Sequence, residues 1–430
     1  MPRPSLLRPF ALICAFIAVT LSAADWPQWR GPARTGYIPD GVAVPATLAA
    51  DIKPLWHMAI GEGFASPVVC GGKVFYLDTQ AGQEVVHAVE AATGKELWKT
   101  NLDSVHRDGF GQGPRTAPVA DGNLVFAQSC KGELKCLKAE DGSEVWHKNF
   151  VTDFGAIYIG EKGTAAGASR HGATGSPIVD GDNLIAQVGS AKDASIVCFK
   201  KATGEVVWKS QKDQTAYAAP IIATVAGRKQ FISFTIEGLI GLDTTDGKLL
   251  WRAPMTTRLG RHVTTPVVVD DKVLVASHQL GLVATRVVAP ASGAAGTEAG
   301  ATLKAEPAWV EKPMLINFAS PVVVGKHLYG VGPAKNLVCI DTETGKTAWS
   351  KLGVIQTPPD KSFAAFLVAG KNILMLTDTG LLVLFAADPA EYKEIARTQV
   401  CGLNWCLPAY VDGKLYMRDA KELLCVELMK

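Results

Sequence analysis

The sequence predicts an all-β protein: an eight-bladed β-propeller of four-stranded antiparallel blades, its ring closed by an N-terminal strand around Trp56. Three observations predict it. A small residue followed by Pro opens a β-rich run again and again along the chain. Each run leads to a T-G or D-G turn, and a Trp follows most of those turns. Repetition of one supersecondary unit at a period of about 40 to 60 residues is the mark of a ring or solenoid.

The openings read "SPVVCGGKVFYL", "APVADGNLVFAQ", "SPIVDGDNLIAQ", "APIIATVAGRKQFISF", "TPVVVDDKVLVAS" and "SPVVVGKHLYGV", with two degenerate copies, "AAFLVAGKNILML" and "LPAYVDGKLYMR". They place blade starts at Pro67, Pro118, Pro177, Pro220, Pro266, Pro321, Phe366 and Pro408. Asp121-Gly122, Gly181-Asp182 and Asp412-Gly413 sit between β-branched runs, as tight hairpin turns require. The third-strand runs are almost continuously apolar, which suits strands covered on both faces by stacked blades.

The turns and their Trp recur as "AVEAATGKELWKT", "CLKAEDGSEVWHK", "CFKKATGEVVWKS", "GLDTTDGKLLWRA" and "CIDTETGKTAWSK". Trp98, Trp146, Trp208, Trp251, Trp309 and Trp349 fall on the fourth strands of blades one to six. The chain given ends before an eighth blade reaches its own fourth strand. Trp56 in "PLWHMAI" occupies the same slot, so the N-terminal strand is expected to complete blade eight and protect its edge.

Residues 1–24 read as a leader: Arg3 and Arg8 precede the apolar run Phe10–Leu21, and Ser22-Ala23-Ala24 supplies small residues for cleavage near Ala24. The apolar run is too short to span a bilayer, and no transmembrane segment is expected after its removal. Residues 25–50, Pro/Gly-punctuated and aromatic, are expected to strap over the rim. Residues 51–430 are the propeller, with the Ala/Gly/Thr-rich stretch 287–308 as a flexible insertion in blade five.

Formal charge is nearly balanced, 43 basic against 41 acidic side chains, so no nucleic-acid partner is expected. Export permits disulfides. Yet Cys136, Cys198, Cys339 and Cys425 occupy one repeated slot, expected to be core, leaving Cys401 with Cys406 as the pairing to consider.

On these repeats the chain resembles the PQQ-like β-propeller family, whose unit reads A-x-D-x-x-T-G-K-x-x-W; "CIDTETGKTAW" and "GLDTTDGKLLW" are its best copies here. The starts "DWPQWRGPARTG" and "GPRTAPV" resemble exported members. The resemblance implies that the Trp docks on the neighbouring blade and that the motif is stitching, with no need to touch a quinone. It also implies two kinds of function. Some members are PQQ-dependent alcohol dehydrogenases, holding the quinone between a Trp floor and a disulfide of adjacent cysteines, with Ca²⁺ beside it and an Asp as base. This sequence has no Cys-Cys dipeptide and no C-x-x-C-H haem site. Others are non-enzymatic scaffolds, of which the propeller lipoprotein of the outer-membrane β-barrel assembly machinery (BamB-like proteins) is the closest functional analogue.

Loops joining one blade's last strand to the next blade's first open on one face. Here they carry His106, Arg115, Tyr158, Arg170, His171, Tyr217, Arg261, His262, Asn317 and Trp405, expected to form a positive funnel for a polar or anionic ligand. Trp405 would be the floor under the dehydrogenase reading. The expectation is a monomeric periplasmic or secreted scaffold binding an envelope protein or a polar or anionic small ligand. No catalytic residue, metal ligand or cofactor is assigned; PQQ with Ca²⁺ belongs to the alternative dehydrogenase reading. A carbohydrate-binding propeller is third.

Overall fold

The computed structural model describes residues 25–158, 171–289, 302–356 and 363–429. Eight four-stranded antiparallel sheets follow one another around a ring, each running from a short inner strand to an outer edge strand. Blade one is typical, with strands Val68–Cys70, Lys73–Gln80, Gln83–Glu90 and Glu96–Ser104. Its middle strands bury an unbroken apolar run because sheets cover both faces. Blade eight takes its outer strand from the other end of the chain: Pro54–Ala59 pairs antiparallel with Glu422–Glu427, placing Trp56 opposite Cys425. The single helix among the described residues, Phe150–Phe154, is one turn capped by Asn149.

Blade five departs from the expectation of a flexible insertion at 287–308. Strands Gly281–Val288 and Lys304–Glu311 pair through Val287↔Ala305 and Val288↔Lys304, so the ends of that stretch belong to the sheet. Residues 290–301 lie outside the described residues, as does the leader.

The repeated Trp residues join neighbouring blades. The indole N–H donates to a backbone carbonyl of the next blade from Trp98 (Ala139, 3.1 Å), Trp146 (Lys201, 2.9 Å) and Trp208 (Thr244, 3.1 Å). The same bond runs from Trp309 (Thr342, 3.0 Å), Trp349 (Asp388, 2.8 Å) and Trp56 (Ala91, 2.9 Å). The turn glycine lets the indole lie flat against the turn: a Cβ on Gly142 would stand 2.4 Å from Trp98 Cε3, and its φ is +73°. Trp251 breaks the series. Its fully buried indole donates instead to Gln230 Oε1 within its own blade.

The N-terminal segment does not lie over the rim; it fills the central channel. Trp26 pairs with Val69 of blade one (2.8 and 2.9 Å), and Pro27 O accepts from Ala120 N of blade two (2.8 Å). Arg34 donates to Ser176 O (2.9 Å) and Pro177 O of blade three and to Pro220 O of blade four (3.0 Å). Trp29 Nε1 reaches Thr265 of blade five (3.1 Å), and Arg30 reaches Pro321 O of blade six (2.7 Å). Ile38 N bonds to Val368 O of blade seven (2.9 Å), and Ala43 O accepts from Tyr410 of blade eight (2.6 Å). Every blade is tied to this plug. Trp26, Gln28, Arg30, Arg34 and Ile38 are buried where a packed axis would otherwise leave a hole.

Candidate functional site

Above the plug the channel widens into a funnel, and one repeat position builds its wall. In each blade the residue three places before the opening Pro (Phe366 in blade seven) faces the axis. These are Phe64, Arg115, Thr174, Tyr217, Val263, Phe318, Phe363 and Trp405, and all eight line the cavity. The lead-in segments are fixed to one another by inner-ring hydrogen bonds. Ala117 N donates to Ser176 Oγ (2.9 Å), Thr265 N to Ser320 Oγ (3.0 Å) and Leu407 N to Ser66 Oγ (2.9 Å), each hydroxyl belonging to the next blade. Paired backbone at this point holds the wall rigid.

The cavity, about 200 Å³, has two unlike halves. Blades six, seven, eight and one contribute Phe318, Phe363, Trp405 and Phe64. Trp405 is central, with ring centroids at 5.6 Å from Phe318, 6.2 Å from Phe363 and 6.4 Å from Phe64. Trp29 of the plug forms part of the floor. Phe110, at the tip of the two-stranded hairpin Arg107–Asp108/Gly111–Gln112, leans over the mouth within 6.3 Å of Trp405 and 5.2 Å of His171. Blades two to five present Arg115, Thr174, Tyr217 and Val263, joined by His171 and Arg261 from the inter-blade loops.

The charge of the polar half is organised by one carboxylate that does not itself line the cavity. Asp108 accepts a two-pronged pair from Arg115 (2.5 and 2.7 Å), His171 Nδ1 at 2.7 Å, the Phe110 amide at 2.8 Å and a longer contact from His106 at 3.4 Å. Burial would raise its pKa, but the hydrogen bonds from His106, His171 and Arg115 outweigh it and hold Asp108 far below the carboxylate range. The funnel is therefore less positive than the loop sequences suggest, because Arg115 is neutralised. Arg115 instead lies with its guanidinium 5.3 Å from the centre of the Phe64 ring. Arg261 is different: among the described residues its guanidinium has no hydrogen-bond or ion-pair partner.

Of the residues expected at the site, Arg115, His171, Tyr217, Arg261 and Trp405 converge. The others do different work. His106 is buried behind Asp108, and its amide donates to Glu84 Oε1 at 3.2 Å. Burial pushes the Glu84 carboxyl up to about 7. His262 is a core residue, stacked on Phe234 with centroids 4.0 Å apart and its Nδ1 2.6 Å from Thr235 O; burial lowers its pKa to about 4. Tyr158 donates to Val188 O (2.5 Å) and packs over Gly132, away from the funnel. Asn317 precedes Phe318 but does not line the wall; its side-chain oxygen is buried with no hydrogen-bond partner among the described residues. Arg170 lies outside the described residues. Sequence reasoning passed over Phe64, Phe110, Thr174, Val263, Phe363 and Trp29. Reading the residue at one fixed offset from each opening Pro would have found four of these six.

The wall does not suit the cofactor of the dehydrogenase reading. Among the described residues no carboxylate or amide side chain lines it, and both oxygens of Asp108 are already engaged. That donor set does not fit a Ca²⁺ ion, which takes six to eight oxygen ligands. Cys401 and Cys406 are separate thiols, and all eight described cysteines are free.

Fold and site together define an eight-bladed propeller with a plugged channel and an aromatic, loop-bordered funnel on one face. The chain belongs to the family whose model is described as outer membrane protein assembly factor BamB, which matches residues 81–351. It is 25% identical to outer membrane protein assembly factor BamB of Burkholderia pseudomallei over 212 residues, an alignment spanning 48% of this chain and 47% of the relative. With the Shewanella oneidensis protein of the same name it is 22% identical over 412 residues, covering 89% of this chain and 90% of the relative. The crystal structure of BamB from Moraxella catarrhalis superposes with a TM-score of 0.55 at 15% identity, covering 88% of this chain and 98% of that one. At that identity the superposition speaks for the fold.

Proposed function

We propose that this protein is a non-catalytic interaction scaffold of the cell envelope that serves outer-membrane protein assembly, with the funnel face receiving a partner segment. The family membership and the names of its relatives support the process. The leader-like residues 1–24 support export to the periplasm. One observation carries the assignment to the funnel: a repeat position that faces the axis in all eight blades holds different side chains around the ring, aromatic on one side and polar on the other. An apolar side chain of a partner fits against Trp405 and its neighbours, and a carboxylate beside it would meet Arg261. Exposed apolar side chains also border this face, including Leu403 (67% exposed) and Phe110 (41%).

A photo-crosslinking amino acid at Leu403 tests the reading, with Asp182, on a hairpin turn at the other end of blade three, as control. Crosslinks from Leu403 to a component of the outer-membrane assembly machinery, absent from Asp182, are expected. Equal labelling from both ends would contradict a funnel-face interface.

A further inference from the structure

On the far side of the plug from the funnel lies a second cavity, of about 290 Å³, enclosed between residues 30–37 and the inner strands of blades four, five and six. It shares no lining residue with the funnel. Two arginines line it, Arg30 and Arg34, which are only 2% and 1% exposed. Arg34 is satisfied by neutral acceptors alone: Gln28 Oε1 at 2.9 Å and the carbonyls of Ser176, Pro177 and Pro220. Arg30 is incompletely satisfied. Its Nη2 donates to Thr35 O (2.9 Å) and Pro321 O (2.7 Å), while its buried Nε has no acceptor.

Neither charge has a counter-ion among the described residues. Asp270, the carboxylate on the cavity wall, pairs with neither guanidinium and sits at an exposed turn tip. Burial lowers the two groups to about 10 and about 9, which still leaves both protonated at neutral pH. Carbonyl dipoles replace part of the lost hydration, but they leave two positive charges uncompensated beside an open space. Guanidinium is the group whose planar fork matches phosphate and carboxylate oxygens.

We propose that this cavity is a binding site for a small oxyanion, a phosphate or carboxylate group seated beside the two buried, counter-ion-free guanidiniums of Arg30 and Arg34. The anion would lock the plug, because both arginines belong to it while the rest of the wall belongs to blades four to six. The volume exceeds what inorganic phosphate needs, leaving room for a substituent along the apolar wall of Ile221 and Val267.

The test is thermal melting and calorimetric titration of the full chain without its leader, using inorganic phosphate against sodium chloride at equal ionic strength. A saturable rise in Tm with phosphate is expected. Ala33 is exposed on the cavity wall, and Ala33→Glu places a carboxylate there. That variant should melt higher than wild type in phosphate-free buffer and lose the phosphate response. Arg30→Gln should lose the response too; should it fail to fold, Ala33→Glu still decides. Arg261→Ala, in the funnel, should keep the response in full. No phosphate-specific rise in the wild type, a full response in Ala33→Glu, or a response lost in Arg261→Ala would each overturn the proposal. Sedimentation with phosphatidylglycerol vesicles, reversed by phosphate, would identify a lipid headgroup as the source; binding in solution alone would identify a free anion.

Discussion

Two rings of residues run through this molecule, one near its circumference and one at its axis, and each takes one residue from every blade or nearly so. The outer ring is uniform. Six Trp side chains make the same bond, an indole N–H to a carbonyl of the next blade at 2.8 to 3.1 Å. The inner ring is varied, with Phe, Arg, Thr, Tyr, Val, Phe, Phe and Trp at the same offset. Both rings are products of one repeat, so the repeat alone does not distinguish structure from function. Uniform chemistry at a repeated position answers a requirement that is the same in every blade, namely docking. Varied chemistry at a repeated position answers a requirement that differs around the ring, as an asymmetric ligand or partner would impose.

The sharpest way to break the comparison is to damage the outer ring. Gly142→Ala puts a Cβ 2.4 Å from Trp98 in a backbone at φ +73° and should cost about 3 kcal/mol or more in urea unfolding. Gly122→Ala, at φ +58° with nothing within 4 Å, should cost only about 1 kcal/mol, the strain of the backbone alone. Equal losses would mean that the indole contact contributes nothing.

Between the rings, behind Asp108, Glu84 offers an effect of comparable size but opposite sign. Its carboxyl ionises near 4.5 when unfolded but near 7 when folded, so the folded state keeps a proton that the unfolded state releases. Stability is therefore lost as pH rises from 4.5 to 7, by on the order of 3 kcal/mol. Glu84→Gln keeps an acceptor for the His106 amide and should raise stability by up to that amount at pH 8 while changing little at pH 4. His262 runs the other way. Its folded pKa is about 4 against 6.5, so stability falls as pH drops from 6.5 towards 4. Melting curves from pH 4 to 8 for wild type and Glu84→Gln separate the two, because only the alkaline-side loss should vanish in the variant.

A smaller effect is expected at the one irregular junction. Trp251→Phe strands the buried Gln230 oxygen and should cost about 2 kcal/mol, whereas Trp349→Phe frees a carbonyl on a half-buried edge and should cost about 1 kcal/mol. Similar losses at the two sites would show that the acceptor's burial does not matter.

The architecture was legible because its causes are local and repeated. A small residue with Pro, a tight turn and a Trp recur in order, and Trp56 in the wrong place in the chain was enough to expect the closing strand. Much of the site was not legible, for two physical reasons. Asp108 stands seven residues before Arg115, close enough in sequence to suggest the pair, but its contact with His171, 63 residues away, has no local signal, so the sequence does not show one carboxylate organising the charge of the polar half. His262 and Tyr158 lie in polar loops yet face inward, where stacking on Phe234 and packing over Gly132 decide their place. The plug was underestimated for a related reason: its partners are inner-strand carbonyls of distant blades, which leave no trace in residue type. Phe64, Thr174, Val263 and Phe363 were the exception. Their common offset from the blade start was visible, but their dissimilar side chains hid it.

The most direct test is complementation in cells of the source organism lacking this protein, comparing wild type with the double variant Trp405→Ala, Arg261→Ala. Because the inter-blade bonds at this level run through backbone amides and Ser hydroxyls that the two substitutions leave in place, the purified variant should melt within a few degrees of wild type. The account predicts that this folded variant leaves the deletion's loss of folded outer-membrane β-barrels unrepaired, while the wild type restores them. Full restoration by the variant would contradict the assignment of function to the funnel.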